Sequence, residues 1–167
     1  MERLADSLDR INLVVGMAVR WLALAMVLVQ FGIVVLRYVY GVSWISLNES
    51  VLYMHATLFM LGAGYTLLID GHVRVDIFQS KAGDRGKAWI DLAGHCVLLL
   101  PSMLALIYWS WPSVRNAWAI LEGPISVGGI PAVFLLKSLI PAFCVLLVIQ
   151  SLACMMRNLV KLRAGRA

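Results

Sequence analysis

Residues 21–36 decide the fold: they read WLALAMVLVQFGIVVL, and no charge interrupts them between Arg20 and Arg37. Three further charge-free stretches follow, of 20, 23 and 19 residues, which lie in turn between Glu49 and Asp70, Asp91 and Arg115, and Lys137 and Arg157. A helix needs about 20 apolar residues to cross a membrane. The sequence therefore predicts an all-α membrane protein of one domain, 1–167, with four transmembrane helices near residues 16–38, 46–69, 91–112 and 132–156.

The composition supports a membrane location and argues against an enzyme. Hydrophobic residues make up 62% of the chain and charged residues 14%, whereas soluble domains have roughly half and a quarter. Four crossings and their connections leave no room for a soluble catalytic domain of ~100 residues. The net charge of +5 lies beside apolar segments rather than on a polar domain, so we expect no nucleic-acid partner.

The basic residues predict the orientation in the membrane, because cytoplasmic segments carry an excess of Lys and Arg. Eleven of them fall in the N-terminal arm, the connection between the second and third helices and the C-terminal tail. These are Arg3, Arg10, Arg20, Arg74, Lys81, Arg85, Lys87, Arg157, Lys161, Arg163 and Arg166, against Arg37, Arg115 and Lys137 elsewhere. We therefore predict that both termini and the middle connection are cytoplasmic.

The N-terminal arm has the pattern of an amphipathic helix. Leu4, Leu8, Ile11 and Val15 recur at helical spacing, which is typical of a helix that lies in the membrane interface. The alternative is a solvated extension of the first transmembrane helix. The arm lacks the small-residue cleavage site of a signal peptide, so we expect it to remain in the mature protein.

Neither the cysteines nor the histidines indicate a cofactor or a metal. Cys96, Cys144 and Cys154 fall inside predicted spans without a C-x-x-C pair, which indicates packing residues. A membrane haem needs two histidines at similar depth, whereas His55 and His95 are expected at opposite depths. We interpret each histidine as a packed or hydrogen-bonded residue.

Two basic side chains near the ends of predicted spans have more than one interpretation. Arg20 and Lys137 are both long enough to reach lipid headgroups. Lys137 has a sharper alternative, an ion pair with Glu49 or with Glu122. The connection from Pro112 to Pro131 is rich in glycine and proline and predicts an irregular outer cap.

One face of the second helix carries small and hydroxylated residues, namely Ser46, Ser50, Tyr53, Thr57 and Gly64, all within about 60° of one another. Such a stripe favours close helix contact in lipid. It predicts either a docking face for a helix of another protein or packing within the four helices. The sequence alone leaves these alternatives open.

The most distinctive segment, residues 68–78, reads LIDGHVRVDIF. Gly71 predicts the end of the second helix, in a left-handed conformation. After it, Val73, Val75 and Ile77 alternate with polar residues, which would present opposite faces to membrane and water if the chain is extended.

The order and spacing of several strings carry a family resemblance. They are Arg37-Tyr38, then Trp44 with Asn48-Glu49, then Phe59 with Gly62-Ala63-Gly64-Tyr65, and Gly71-His72-Val73-Arg74-Val75-Asp76. The chain resembles, over nearly its whole length, the small membrane subunit of tripartite ATP-independent periplasmic (TRAP) transporters. Gly128-Gly129-Ile130-Pro131 and Leu136-Lys137 resemble one branch of that family.

The resemblance implies a non-catalytic role in a bacterial inner membrane. In such systems a periplasmic substrate-binding protein captures an organic acid, and a large multi-span subunit moves it by a sodium-coupled elevator motion. The small subunit braces the large one. The resemblance implies that the motif positions structure helix ends and the subunit contact, among them Glu49, His72, Arg74 and Asp76. Our candidate set of interface or structural residues consists of these four and of Trp44, Tyr53, Gly64, Gly71 and Lys137.

Two other classes of protein remain open on the sequence. Small multidrug antiporters also have four helices, but they use a carboxylate in the middle of the membrane, whereas Glu49 is expected at an outer end. An anchor or assembly subunit of another membrane complex would have the same composition, and only the motif strings argue against it.

Overall fold

The computed structural model describes residues 2–71, 83–124 and 126–164. Every regular element in these ranges is a helix, which confirms the predicted all-α fold. The elements are α1 (Glu2–Val19), α2 (Trp21–Val39), α3 (Ile45–Leu68), α4 (Asp84–Ala93), a π-helical segment (Gly94–Leu99), α5 (Leu100–Ala119) and α6 (Val133–Ala164).

Four helical stretches are long and apolar enough to cross a membrane: Arg3–Val39, Ile45–Leu68, Arg85–Ala119 and Val133–Val160. The first has 37 residues, or about 55 Å at 1.5 Å per residue, and a hydrocarbon core is only about 30 Å thick. This first stretch must therefore tilt or extend beyond the core.

The first stretch is a nearly continuous helix with a single turn residue, Arg20, between α1 and α2. The Arg20 N–H donates to the Gly16 carbonyl at 3.1 Å, and the Ala23 N–H donates to the Arg20 carbonyl at 3.1 Å. The packed face of α1 holds Ala5, Asp9 and Asn12, all buried, whereas Leu4 of the apolar stripe is 64% exposed. The predicted stripe is therefore split: Leu4 and Ile11 are exposed, whereas Leu8 and Val15 are half-buried.

Two helices form the centre of the bundle. α3 contacts α1, α2 and α6, and α6 contacts α1, α3, α4 and α5. α1 packs against both α3 and α6. The N-terminal arm is thus part of the helical bundle rather than a separate extension.

The end of α3 differs in detail from the prediction. Asp70, not Gly71, takes the left-handed conformation, with φ of 60°. The Gly71 N–H donates to the Thr66 carbonyl at 2.8 Å, and the Asp70 N–H donates to the Leu67 carbonyl at 3.3 Å. These two bonds are those of a Schellman motif with Asp70 at its left-handed position, which a short polar side chain tolerates.

The irregular connection starts later than predicted, because α5 continues through Pro112 to Ala119. A proline removes one backbone hydrogen bond, and membrane helices tolerate this when neighbours satisfy the freed groups. The helix ends at Ala119, Ile120 follows as its C-cap, and Leu121 takes φ of 46°. The irregular part therefore comprises residues 120–132, of which residue 125 is outside the described ranges.

Candidate functional site: polar contacts at the two ends of the bundle

The buried polar side chains gather at opposite ends of the bundle. We call the end where α1 begins and α6 finishes the terminal end. The other end, where residues 40–44 and 120–132 connect the helices, is the loop end.

Glu49 is the central residue of the loop end. It lies in the first turns of α3 and is only 9% exposed. Its Oε2 accepts a hydrogen bond from the Ile130 N–H at 2.7 Å. Gly129 allows this approach, because a Cβ at that position would overlap the Glu49 carboxylate. The carboxylate therefore fastens the 120–132 connection to α3.

Two polar atoms beside this contact have no hydrogen-bond partner within the described part of the chain. They are Glu49 Oε1 and the Tyr53 hydroxyl, both buried and one helical turn apart. A buried group without a partner costs about 1–3 kcal/mol. The loop end thus combines a satisfied carboxylate oxygen with unsatisfied groups, which makes Glu49 and Tyr53 its candidate functional pair.

Lys137 forms an ion pair with Glu122, with Nζ and Oε2 2.5 Å apart. The predicted ion pair of Lys137 with Glu122 is confirmed, and the alternative ion pair with Glu49 is wrong. Glu49 is engaged by the Ile130 backbone instead. Each side chain of the pair is 32% exposed, so water and headgroups weaken the attraction.

Trp44 immediately precedes α3 and is 54% exposed. Its carbonyl accepts a hydrogen bond from Asn48 Nδ2 at 3.0 Å. The motif residues Trp44, Asn48 and Glu49 thus share the first turns of α3. The indole faces outward while the Glu49 carboxylate faces the bundle.

The terminal end holds a polar cluster that sequence reasoning missed. Asn12 and Gln150 are fully buried, and Asn12 Nδ2 donates to Gln150 Oε1 at 2.9 Å. Gln150 Nε2 in turn donates to Asp9 Oδ1 at 2.8 Å. Arg157 pairs with Asp9 and also contacts Asp6 Oδ1 at 3.2 Å. The available signal was Gln150, an amide inside the last charge-free stretch.

Gly64 is part of the same contact region. A Cβ at Gly64 would overlap Asn12 Oδ1 and would lie 3.3 Å from Leu146 Cβ. Asn12 Nδ2 also donates to the Leu146 carbonyl at 3.2 Å. At Gly64 the small-residue stripe therefore packs within the chain, which is the second of its two predicted roles.

His95 is hydrogen-bonded, as predicted, whereas His55 is exposed. His95 lies in the π-helical segment, and its Nδ1 is 3.1 Å from the hydroxyl of Ser151, a fully buried residue. The His55 ring stacks on Phe59 with centroids 6.3 Å apart. His72, Arg74 and Asp76 of the candidate set lie outside the described residues.

This architecture defines a multi-pass helical membrane protein whose helices are joined by buried polar contacts. Over residues 11–161, the chain matches the family model of the DctQ component of tripartite ATP-independent periplasmic transporters. The chain belongs to this family, which confirms the resemblance seen in its motif strings. Comparisons with curated proteins and with solved structures gave no match.

Proposed function

We propose that the chain braces the large multi-span subunit of a TRAP transporter and itself moves no substrate. The supporting observation is that buried polar groups of the chain form hydrogen bonds with one another and with its backbone. Asp9, Asn12 and Gln150 bind one another between α1 and α6, and Glu49 binds the 120–132 connection. The atoms that form these bonds join separate segments and are not free to line a substrate path, which favours a rigid scaffold.

Membership of the family supports a transport role for the complex. We propose that the large subunit imports an organic acid coupled to sodium, and that a periplasmic substrate-binding protein delivers it. The small subunit then serves as a fixed support. Trp44 is 54% exposed beside the buried Glu49, and we place it at the subunit contact. We assign the same role to His72, Arg74 and Asp76.

We further propose that both termini face the cytoplasm of a bacterial cell, with the terminal end of the bundle on that side. The excess of basic residues supports this orientation. The exposed Leu4 and Ile11 of α1 would then contact the interface of the inner leaflet. Reporter fusions at each terminus, active only in the cytoplasm, test the orientation.

The experiment that tests the bracing role is purification of the tagged chain from its own membranes in mild detergent. A photo-reactive phenylalanine analogue replaces Trp44 in one variant. In a control variant it replaces Val97, which is 68% exposed on the π-helical segment. Mass spectrometry then identifies the partners that are recovered and crosslinked.

We expect a multi-span partner in stoichiometric amount, crosslinked from position 44 and not from position 97. In liposomes with a sodium gradient, the complex should take up an organic acid and the chain alone should not. Recovery of the chain alone with transport activity would favour a small self-contained transporter. Recovery with an unrelated complex would favour an anchor or assembly subunit.

A further inference from the structure

A cleft of about 490 Å³ opens on the side of the bundle, between the α1–α2 junction, α3 and α6. Small residues, among them Gly62 and Ala63, are part of its lining. Leu58, Phe59 and Phe143 line the part that extends toward the loop end. This part of the cleft is apolar, so it suits a hydrocarbon chain.

The polar residues that line the cleft are Arg20, Tyr65 and Thr66. Tyr65 and Thr66 follow Gly62 toward the terminal end of α3, and the contact of Val19 with the Gly62 position puts the Arg20 backbone near the level of Gly62. Gly62 lies six residues before the last residue of α3, which is about 9 Å along the helix axis from the terminal end of α3, at 1.5 Å per residue. Helical side chains lean toward the N-terminus of their helix, so the Arg20 guanidinium leans toward the terminal end.

Arg20 carries a charge that the described chain does not neutralise. No carboxylate among the side chains that the structure describes pairs with it, and it contacts the Trp21 ring, whose centroid is 5.7 Å from the guanidinium carbon. Arginine deep in a bilayer is unfavourable unless it reaches a partner or the headgroup region. Arginine also binds phosphate with good geometry, through parallel N–H donors.

We propose that this cleft is a binding site for one anionic phospholipid. Its phosphodiester lies on the Arg20 guanidinium, and one acyl chain fills the apolar part beside Phe59 and Phe143. The polar-to-apolar order of the cleft matches the order of groups in such a lipid. This site is independent of the proposed bracing role, because it uses only residues of this chain.

The test measures phospholipid retained per copy of the chain, by native mass spectrometry after purification in mild detergent. The preparation is exchanged into detergent with added phosphatidylglycerol, and in parallel with phosphatidylcholine. Four proteins are compared: wild type, Arg20→Gln, Gly62→Leu and Arg37→Gln. A Cβ at Gly62 meets only Val19, at 4.0 Å, so a leucine side chain there starts in open space and extends into the cleft. Arg37 is the control, exposed at the far end of α2.

We expect one retained phosphatidylglycerol in wild type and in Arg37→Gln, and at least tenfold less in Arg20→Gln and Gly62→Leu. Phosphatidylcholine should be retained less than phosphatidylglycerol by wild type. If Arg20→Gln fails to fold, Gly62→Leu decides. Equal retention in all four proteins, or none in wild type, overturns the proposal.

The same preparations show whether the cleft instead holds a protein. Loss of the large subunit from Arg20→Gln and Gly62→Leu, with unchanged lipid, would make the cleft a subunit interface and overturn the lipid site. The lipid count is made per chain whether or not a partner is recovered. Failure of the bracing proposal therefore leaves the lipid result interpretable.

Discussion

The Glu49 carboxylate accepts a hydrogen bond from the Ile130 N–H at 2.7 Å, across 81 positions of sequence. The contact is between an ionisable side chain and a loop backbone, rather than between two charged side chains. Because Glu49 is 9% exposed, little water competes for it. The bond therefore holds the Ile130 part of the 120–132 connection at the start of α3.

Replacing Glu49 should destabilise the protein in a graded way. Glu49→Gln keeps an oxygen acceptor for Ile130 and should cost about 1 kcal/mol, whereas Glu49→Ala leaves the N–H without its acceptor and should cost about 2–3 kcal/mol. The measurement is thermal unfolding of the purified protein. Equal melting temperatures for wild type and Glu49→Ala would show that the contact contributes no stability.

Gly129→Ala should lower the melting temperature, because the added methyl group overlaps the Glu49 carboxylate. Overpacking of this kind costs about 1–3 kcal/mol. Gly123→Ala is the matched control, since a Cβ at Gly123 meets no atom within 4 Å. In the double variant with Glu49→Ala, the second substitution should cost much less than it does alone. Additive losses would contradict the proposed overlap.

The sequence predicts the helices well because one physical cause dominates them. Charged side chains are excluded from hydrocarbon, so their spacing along the chain directly marks the four spans. Helix ends are less predictable, since they depend on single backbone conformations. Gly71 was the expected left-handed residue by its type, yet Asp70 takes that position. Pro112 was expected to end a helix that in fact continues to Ala119.

The candidate site was only partly predictable, because its contacts join distant segments. Glu49 and Lys137 were recognised as ionisable residues near the ends of predicted spans. The observed ion pair of Lys137 with Glu122 was one of the two pairs that the sequence suggested. The contact of Arg157 with Asp9 spans 148 positions. The apolar stripe of α1 gives no indication of that contact, because the polar face of α1 is the one that packs against α6.

Removing only one partner of the Arg157–Asp9 ion pair should lower the stability of the protein. Arg157→Met leaves the Asp9 carboxylate, whose side chain is 12% exposed, without its positive partner, and we expect a loss of about 2–3 kcal/mol. Arg115→Met is the control, because Arg115 is exposed and forms no ion pair within the described residues. Melting temperatures of both variants are compared with that of wild type.

A second substitution separates the charge from the packing of the arginine stem. Asp9→Asn keeps an oxygen that can accept from Gln150 Nε2, and it removes the unpaired charge. Asp9→Asn with Arg157→Met should therefore be more stable than Arg157→Met alone. A double variant as unstable as the sum of the two single ones would show that the ion pair is not the cause.

Leu121→Gly should raise stability. Leu121 has φ of 46°, a left-handed conformation that costs an ordinary residue about 1–2 kcal/mol. Glycine removes that strain, but its more flexible unfolded chain costs about 0.5–1 kcal/mol, which leaves a net gain of at most about 1.5 kcal/mol. The backbone bonds here, from the Glu122 N–H to the Ala117 carbonyl at 2.9 Å, need no side chain at position 121.

Leu121→Ala serves as the control for loss of the leucine side chain, which is 63% exposed. Alanine keeps the strained conformation, so it should not raise the melting temperature. The prediction requires Leu121→Gly to melt above both wild type and Leu121→Ala. If the glycine variant melts below the alanine variant, the helix end does not hold position 121 in a left-handed conformation, and α5 ends differently in the membrane.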